Sequence, residues 1–357
     1  MKKRLRTGFT TGTCAAAAAK AAAIMLHRRR PVDRIAVNLP AGGTATFEIV
    51  DSSIEESVAS CCVVNDAGAD PDVTDGLKIC ARIRPSDVLA VKGGDGVGVV
   101  TAPGLAVPVG EAAINPTPKE MILKEVAGVL PAGAGAEIAI YVPGGAKVAG
   151  RTFNPRLGIV GGISIIGTTG IVRPMSVEAY RESLALLVDV AAASQKEFIV
   201  LVPGNVGERA ALSLGFDEKS VVHMGNHVGF MLDKCIENGM RSILILGHVG
   251  KMIKIAGGAF DTDSRKCPLD LGLLMKLAEA ESIDAALLEG LKNCATAEEA
   301  ASILRSYVAV FDRLAEGVSL RASERIGWAA RVAAGITDLK GNLLGMCSKA
   351  KDLLGDR

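Results

Sequence analysis

A run of eight alanines broken only by Lys20, AAAAAKAAA at residues 15–23, leaves this chain little freedom in its first segment. Alanine has the highest helix propensity of any residue, so the run reads as a helix. Thr7-Gly8-Phe9-Thr10-Thr11-Gly12-Thr13-Cys14 stands immediately before it. Threonine caps helices well, which puts the helix start near residues 11–13. An alanine face has no bulk, so another backbone or a flat ligand can approach it closely. The first N–H groups of a helix lack intrahelical partners and carry the positive end of its dipole. The threonine-glycine turn is therefore either a structural cap or a seat for a carboxylate or phosphate.

The chain has 357 residues, which favours two domains over one core. With 49% hydrophobic and 22% charged residues it reads as globular. A net charge of +1 and 3% aromatics give neither the basic excess nor the stacking platforms of a nucleic-acid binder. There is no uninterrupted apolar run long enough to span a bilayer. MKKRLR runs on into TGFTTGTC, too polar for the apolar core of a secretory leader, so the expected location is cytoplasmic. The cysteines at 14, 61, 62, 80, 235, 267, 294 and 347 form no C-x-x-C pair. Reduced thiols are expected, rather than a zinc ribbon or a disulfide scaffold. Nothing in these patterns encodes oligomeric state, which leaves room for a homo-oligomer.

Residues 1–150 alternate short strand-like runs with turns after the single N-terminal helix. Strands are expected at 34–39, 44–50, 57–64, 76–83, 88–92 and 137–142, with a helix at 115–130. This predicts an α+β domain. Residues 151–357 change rhythm: apolar strands at 158–167, 197–202, 221–224 and 242–246 alternate with helices at 176–195, 205–214 and 227–238. That alternation predicts a Rossmann-like α/β domain with a parallel sheet. From about residue 250 the pattern reads as a helical C-terminal extension.

Each expected strand of the second domain ends in small residues. The segments are Ile166-Gly167-Thr168-Thr169-Gly170, Pro203-Gly204-Asn205-Val206-Gly207, Gly225-Asn226-His227 and Gly247-His248-Val249-Gly250. Ligands of open parallel sheets bind outside the carboxyl ends of strands, and glycines there admit close backbone approach. Gly167, Thr168, Thr169, Gly204, Asn205, Gly207, Gly225, Asn226, Gly247 and Gly250 are thus candidates to hold a nucleotide-like cofactor. Turn chemistry alone also accounts for each segment. There is no proper G-x-G-x-x-G at a strand-to-helix turn. His223 and His227 have a metal-ligand spacing but flank an expected strand-to-helix turn, so no protein-bound metal is expected. Asn65-Asp66-Ala67-Gly68-Ala69-Asp70-Pro71-Asp72 gathers carboxylates in one turn, as a base, a calcium site or a solvated loop.

GFTTGTCAAAAAKAA, NDAGADPDVTDG, GVGVVTAPGLAVPVGEAAINPTP, TFNPRLGIVGGISIIGTTGIVRPMS and ILGHVGKMIKIAGGAFDTDSR occur in this order. Together they resemble the CbiD family, the cobalt-precorrin-5B C1-methyltransferases of anaerobic cobalamin biosynthesis. The resemblance runs from Leu5 to about Arg265. It implies methylation of ring carbon C-1 with S-adenosylmethionine as co-substrate, giving cobalt-precorrin-6A; cobalt belongs to the macrocycle. It also implies a tetrapyrrole substrate rimmed with carboxylates. Candidates to bind it are Thr10, Thr11, Gly12 and Thr13, with Arg4, Arg6, Arg156 and Arg173. For a base that removes a macrocycle proton, Asp66, Asp70, His227 and His248 are the candidate residues, with Asp72 of the same type. Cys14 is expected to be a packing residue.

The chain departs from the family pattern at three places. Asp75 and Asp263 stand where Thr-His would precede Gly76 and Ser264, so a mechanism needing an imidazole at either position does not transfer. Lys266-Cys267-Pro268-Leu269-Asp270 replaces an Ala-Asp-Gly-Arg-like run. Two other readings compete: a nicotinamide-dependent reductase of a tetrapyrrole, and a non-catalytic carrier of a corrinoid intermediate.

Overall fold

The computed structural model describes residues 5–194 and 197–355, so Arg4 lies outside the described residues. The chain divides into two compact units, residues 1–177 and 178–357.

In the first unit the alanine run lies within helix α1 (Thr11–Arg28), capped by Thr10, whose side chain accepts the Thr13 N–H. The helix stops where Arg29 turns into the left-handed region and bonds back to Met25 O. All eight alanines are fully buried. A helix apolar on every side belongs inside a core, and alanine lets the neighbouring layers close in to near-backbone distance. Those layers are a five-stranded sheet and helix α2 (Pro116–Ala127). The strands are β1 (Val50–Ile54), β2 (Ala59–Val64), β3 (Lys78–Ser86), β4 (Ala90–Gly93) and β5 (Gly135–Tyr141), in the order β1-β2-β3-β5-β4. Lys20 is the one polar break in the run. Its Nζ reaches Ala36 O at 2.8 Å and Glu125 Oε2 at 2.6 Å.

The structure corrects four expectations. The boundary falls at residue 177 rather than 150. Ile171–Val172 pairs with Gly8–Phe9, Ile159–Val160 with Val99–Val100, and Gly162–Ile163 with Gly96–Val97, which ties that stretch to the first unit. The apolar stretch 158–167 is accordingly not one strand of a parallel sheet, but two two-residue strands separated at Gly161 (φ +82°). Not all cysteines are free: Cys62 and Cys80 sit directly opposite each other in the β2–β3 register and are joined as a disulfide. Lastly, the C-terminal region is not wholly helical.

The second unit is built on β6 (Phe198–Val202), β7 (Val221–His223), β8 (Ser242–His248), β9 (Arg331–Thr337) and β10 (Leu343–Met346). Their order is β7-β6-β8-β9-β10, with every neighbouring pair parallel except β9–β10. The segments 199–202 and 243–246 are almost wholly buried, the continuous apolar run of a sheet covered on both faces. β9 and β10 are the strands that a helical reading of the C-terminus misses. RVAAGIT has no β alternation, and burial between β8 and helix Val308–Arg325 outweighs its alanine content.

Candidate functional site

In the first unit three distant motifs interlock. The Thr11 hydroxyl accepts the Ile166 N–H at 3.0 Å and lies 3.3 Å from Ser164 O. Thr13 Oγ1 donates to Gly170 O at 2.8 Å, and Gly12 N donates to Ile166 O at 3.0 Å. Thr11, Gly12 and Thr13 are buried. Their polar groups therefore tie the start of α1 to the segment 164–170. Gly167 (φ +134°) is required there, because a Cβ would lie 2.2 Å from Thr10 Oγ1. The Gly167-Thr168-Thr169 segment thus belongs to the first unit, not to a strand end of the parallel sheet. Thr168 and Thr169 are exposed, as are Arg156 and Arg173.

The acidic turn is the third partner. Gly8 approaches it so closely that a Cβ would lie 2.1 Å from the Ala67 carbonyl carbon. Arg6 grips Asp66 with two hydrogen bonds of 2.5 and 2.7 Å, and Asp66 also accepts the Gly68 N–H. Those donors hold the Asp66 carboxyl below its ordinary range, a poor setting for a base near neutrality. Asp70 accepts the Met175 N–H, Asp72 the Thr74 N–H, and Asp75 the Ala67 N–H. The Asp75 carboxylate thus closes the same turn. Cys14 sits beneath it, its Sγ 3.3 Å from Asn65 Oδ1, and burial pushes the thiol up to about 12. A thiol so placed packs rather than attacks.

In the second unit the order β7-β6-β8 reverses direction at β6. The chain leaves β6 for β7 on one side, then crosses to β8 on the other. The carboxyl ends of β6 and β8 flank such a switch point. Gly204 lies there with open space around it: a Cβ would meet nothing within 4 Å. Asn205 begins the helix that Gly204 caps. Gly207 faces inward instead, where a Cβ would lie 2.5 Å from Leu246 O. Gly247 lies inside β8, paired with Ile336, and Gly250 lies inside the next helix, so no loop exists at 247–250.

The histidines are held as hydrogen-bonding groups. His227 Nδ1 accepts from Arg181 Nε at 3.2 Å, and its ring meets Tyr180 edge-on at 5.8 Å. Burial first, then the Arg181 charge, holds His227 below its usual value and therefore neutral. With Nδ1 accepting, the proton is assigned to Nε2, leaving a donor rather than a base. His248 caps helix Val249–Ala256 by accepting the Gly250 N–H at 3.2 Å, while its Nε2 meets Glu298 Oε2 at 3.0 Å. Both its nitrogens are engaged. His223 turns to Glu208 at 3.1 Å, away from His227's partners.

Asn226 joins this edge through Lys251, whose Nζ donates to Asn226 Oδ1 and to Thr262 O at 3.2 Å. Lys254 Nζ donates to the same Thr262 carbonyl at 3.2 Å. Both lysines line an open pocket of about 370 Å³, together with His248, Ser264, Thr296 and Glu298. The loop residues pointed to this edge, but the lysines themselves carry no glycine or turn signal. Their three-residue spacing in GKMIKIAGG, which places both on one helix face, was the available sign. Asp263 does not enter the pocket wall; it is clamped by Arg265, which keeps its carboxyl well below the usual range.

Fold and geometry define a two-unit α/β protein whose second unit is built on a mostly parallel sheet with open space at its carboxyl edge beside Gly204. The chain belongs to the CbiD family: the CbiD model matches residues 1–174, and that of the CbiD C-terminal domain matches residues 261–348. A cobalt-precorrin-5B C(1)-methyltransferase of Moorella thermoacetica is 41% identical over 100% of this chain and 99% of its own. One from Thermoanaerobacter sp. is 43% identical, covering 85% of this chain and 83% of its own. A crystal structure of a cobalamin biosynthesis protein (CbiD) from Archaeoglobus fulgidus is 30% identical, covering 73% of this chain and 83% of that one, with a TM-score of 0.40. Among the described residues, no helix is long and apolar enough to cross a membrane.

Proposed function

We propose that this chain is a cobalt-precorrin-5B C1-methyltransferase that uses S-adenosylmethionine and forms cobalt-precorrin-6A. The observation that carries this reading is the full-length likeness to the Moorella methyltransferase. The second unit is read as a Rossmann-like ligand domain, with the methyl donor at the carboxyl edge near Gly204, Asn205, Gly225 and Asn226. The residues fit such a ligand: Gly204 leaves its backbone approachable, and the helix behind it presents N–H donors.

The methyl donor supplies a sulfonium-activated methyl group. The protein's part is to align two bound reactants, worth roughly 7–11 kcal/mol of barrier when well done. His227 presents an Nε2–H that orients an acceptor atom, and Arg181 holds that tautomer. Thr168 and Arg173 are exposed side chains of the first unit that we read as partners for macrocycle carboxylates, with Arg156 exposed nearby in sequence; the Thr169 hydroxyl already donates to Ile171 O at 3.1 Å. Thr11, Gly12 and Thr13 support them from beneath.

Anaerobic incubation with cobalt-precorrin-5B and methyl-labelled S-adenosylmethionine tests the reading. One label at C-1 is expected. NADPH oxidation without label transfer would select the reductase, and tight macrocycle binding with neither would select the carrier.

A further inference from the structure

Lys251 and Lys254 present an unusual pairing. Two ammonium groups, one on an intermediate and one on a buried residue (Lys254, 8% exposed), converge on a single neutral carbonyl, that of Thr262. Desolvation, then the charge of Lys254, holds Lys251 below its ordinary value. Burying cations is costly unless a counter-charge is supplied. The nearby acids offset this cost only in part: the charges of Asp263 and Asp261 favour the Lys251 ammonium, but their direct ion pairs are with Arg265 and Lys266. Glu298 is the one acid among the residues lining the pocket, and its Oε2 is taken by His248 and the Leu339 N–H. Each ammonium has three donors. Lys254 spends one on Thr262, and Lys251 spends two, on Asn226 and Thr262. Ser264 and Thr296 add hydroxyl-bearing residues to the same wall. Thr337, the β9 register partner of His248, has a buried hydroxyl with no partner among the described residues.

We propose that Lys251 and Lys254 form a carboxylate-binding subsite at the carboxyl edge of the second unit's sheet. Its ligand, on the methyltransferase reading, is a carboxylate of one of the two reactants. The amino-acid end of the methyl donor and the acid rim of the macrocycle share this chemistry.

The test uses the full-length protein with Lys251→Met and Lys254→Met, which keep the apolar stem and remove the charge. Circular dichroism melts confirm that each variant folds. Lysine labelling read by mass spectrometry shows whether citrate, against chloride at equal ionic strength, protects Lys251 and Lys254. Calorimetry then compares S-adenosylhomocysteine with 5′-methylthioadenosine, which lacks the carboxylate, and a corrin polycarboxylic acid with its methyl ester. If the methyl donor supplies the carboxylate, both variants weaken S-adenosylhomocysteine about tenfold or more and leave methylthioadenosine unchanged. If the macrocycle supplies it, the corrin acid weakens instead and its ester does not. Citrate protection in a wild-type protein that binds neither reactant upholds the subsite and rejects the methyltransferase reading. Absent protection, or wild-type affinities retained in both variants, overturns the proposal.

Discussion

Glu125 holds the alanine helix in place, and its removal tests how. This residue of α2 is 5% exposed at its side chain and meets Lys20 of α1, 19% exposed, at 2.6 Å. It also accepts the Asn38 N–H at 2.9 Å and Asn38 Nδ2 at 3.0 Å, so one carboxylate joins α1, α2 and the hairpin Arg34–Asn38/Thr44–Glu48. Lys20→Met strands that carboxylate with amide donors alone, a change that costs about 3–5 kcal/mol for a buried pair. For a unit of 177 residues this lowers the melting temperature by about 6–20 °C. Glu125→Gln retains an acceptor for Asn38 and leaves Lys20 access to water, so it costs less. The double variant removes the stranded charge and is milder than Lys20→Met alone. Scanning calorimetry measures the shifts, and hydrogen exchange of residues 11–28 identifies the transition affected. A Lys20→Met shift under about 2 °C, or strict additivity in the double variant, would refute the reasoning. The pH dependence has a definite sign. Burial acts to raise the Glu125 pKa, but Lys20 and Asn38 outweigh it and hold it below its ordinary value. Its contribution is present above the ordinary glutamate range, near pH 4.3, and is lost as pH falls through the folded value.

His227 is held low by burial and Arg181, so it stabilises the fold above about pH 6.5 and less as pH falls. His227→Gln is expected to flatten the stability loss between about pH 7 and 5 in denaturant titrations; an unchanged slope would remove His227 as its source. Gly167→Ala forces a Cβ against Thr10 Oγ1 at 2.2 Å and is expected to cost about 1–3 kcal/mol, measured by thermal melting. The Cβ added by Gly204→Val meets nothing within 4 Å, so its melt should stay close to the parent's while S-adenosylhomocysteine binds more weakly. Unchanged affinity would take that segment out of the site. Asp66→Asn loosens an exposed ion pair with Arg6 and should shift stability by under about 1 kcal/mol, with no inflection lost from the pH–rate profile. A lost inflection would restore Asp66 as a base.

The candidate site was legible where a local signal stood for a local structure. Gly204, Gly225 and Asn226 announced the ends of β6 and β7, because an apolar strand followed by small residues has few other solutions. Gly247 and Gly250 misled only about the turn: strand β8 runs on through His248 directly into a helix, and a glycine inside an element looks like one in a turn, while Gly250 does line the pocket with Lys251 and Lys254. Asp66 and the histidines were visible as titratable groups, but their partners Arg6, Arg181 and Glu298 lie 60, 46 and 50 residues away in sequence. Those partners decide whether a group is a base, a donor or a cap.

The threonine-glycine turn and alanine helix show the same division. Helix, cap and close approach follow from residue type alone, since propensity, capping and side-chain volume are properties of a few adjacent residues. That the close neighbours are a sheet and α2 rather than a flat ligand was decided by the tertiary structure, as was the engagement of the Thr11 and Thr13 hydroxyls with carbonyls some 150 residues on. Whether a hydroxyl is spent inside the fold or left for a ligand depends on which distant carbonyl arrives beside it, and packing alone brings that carbonyl there.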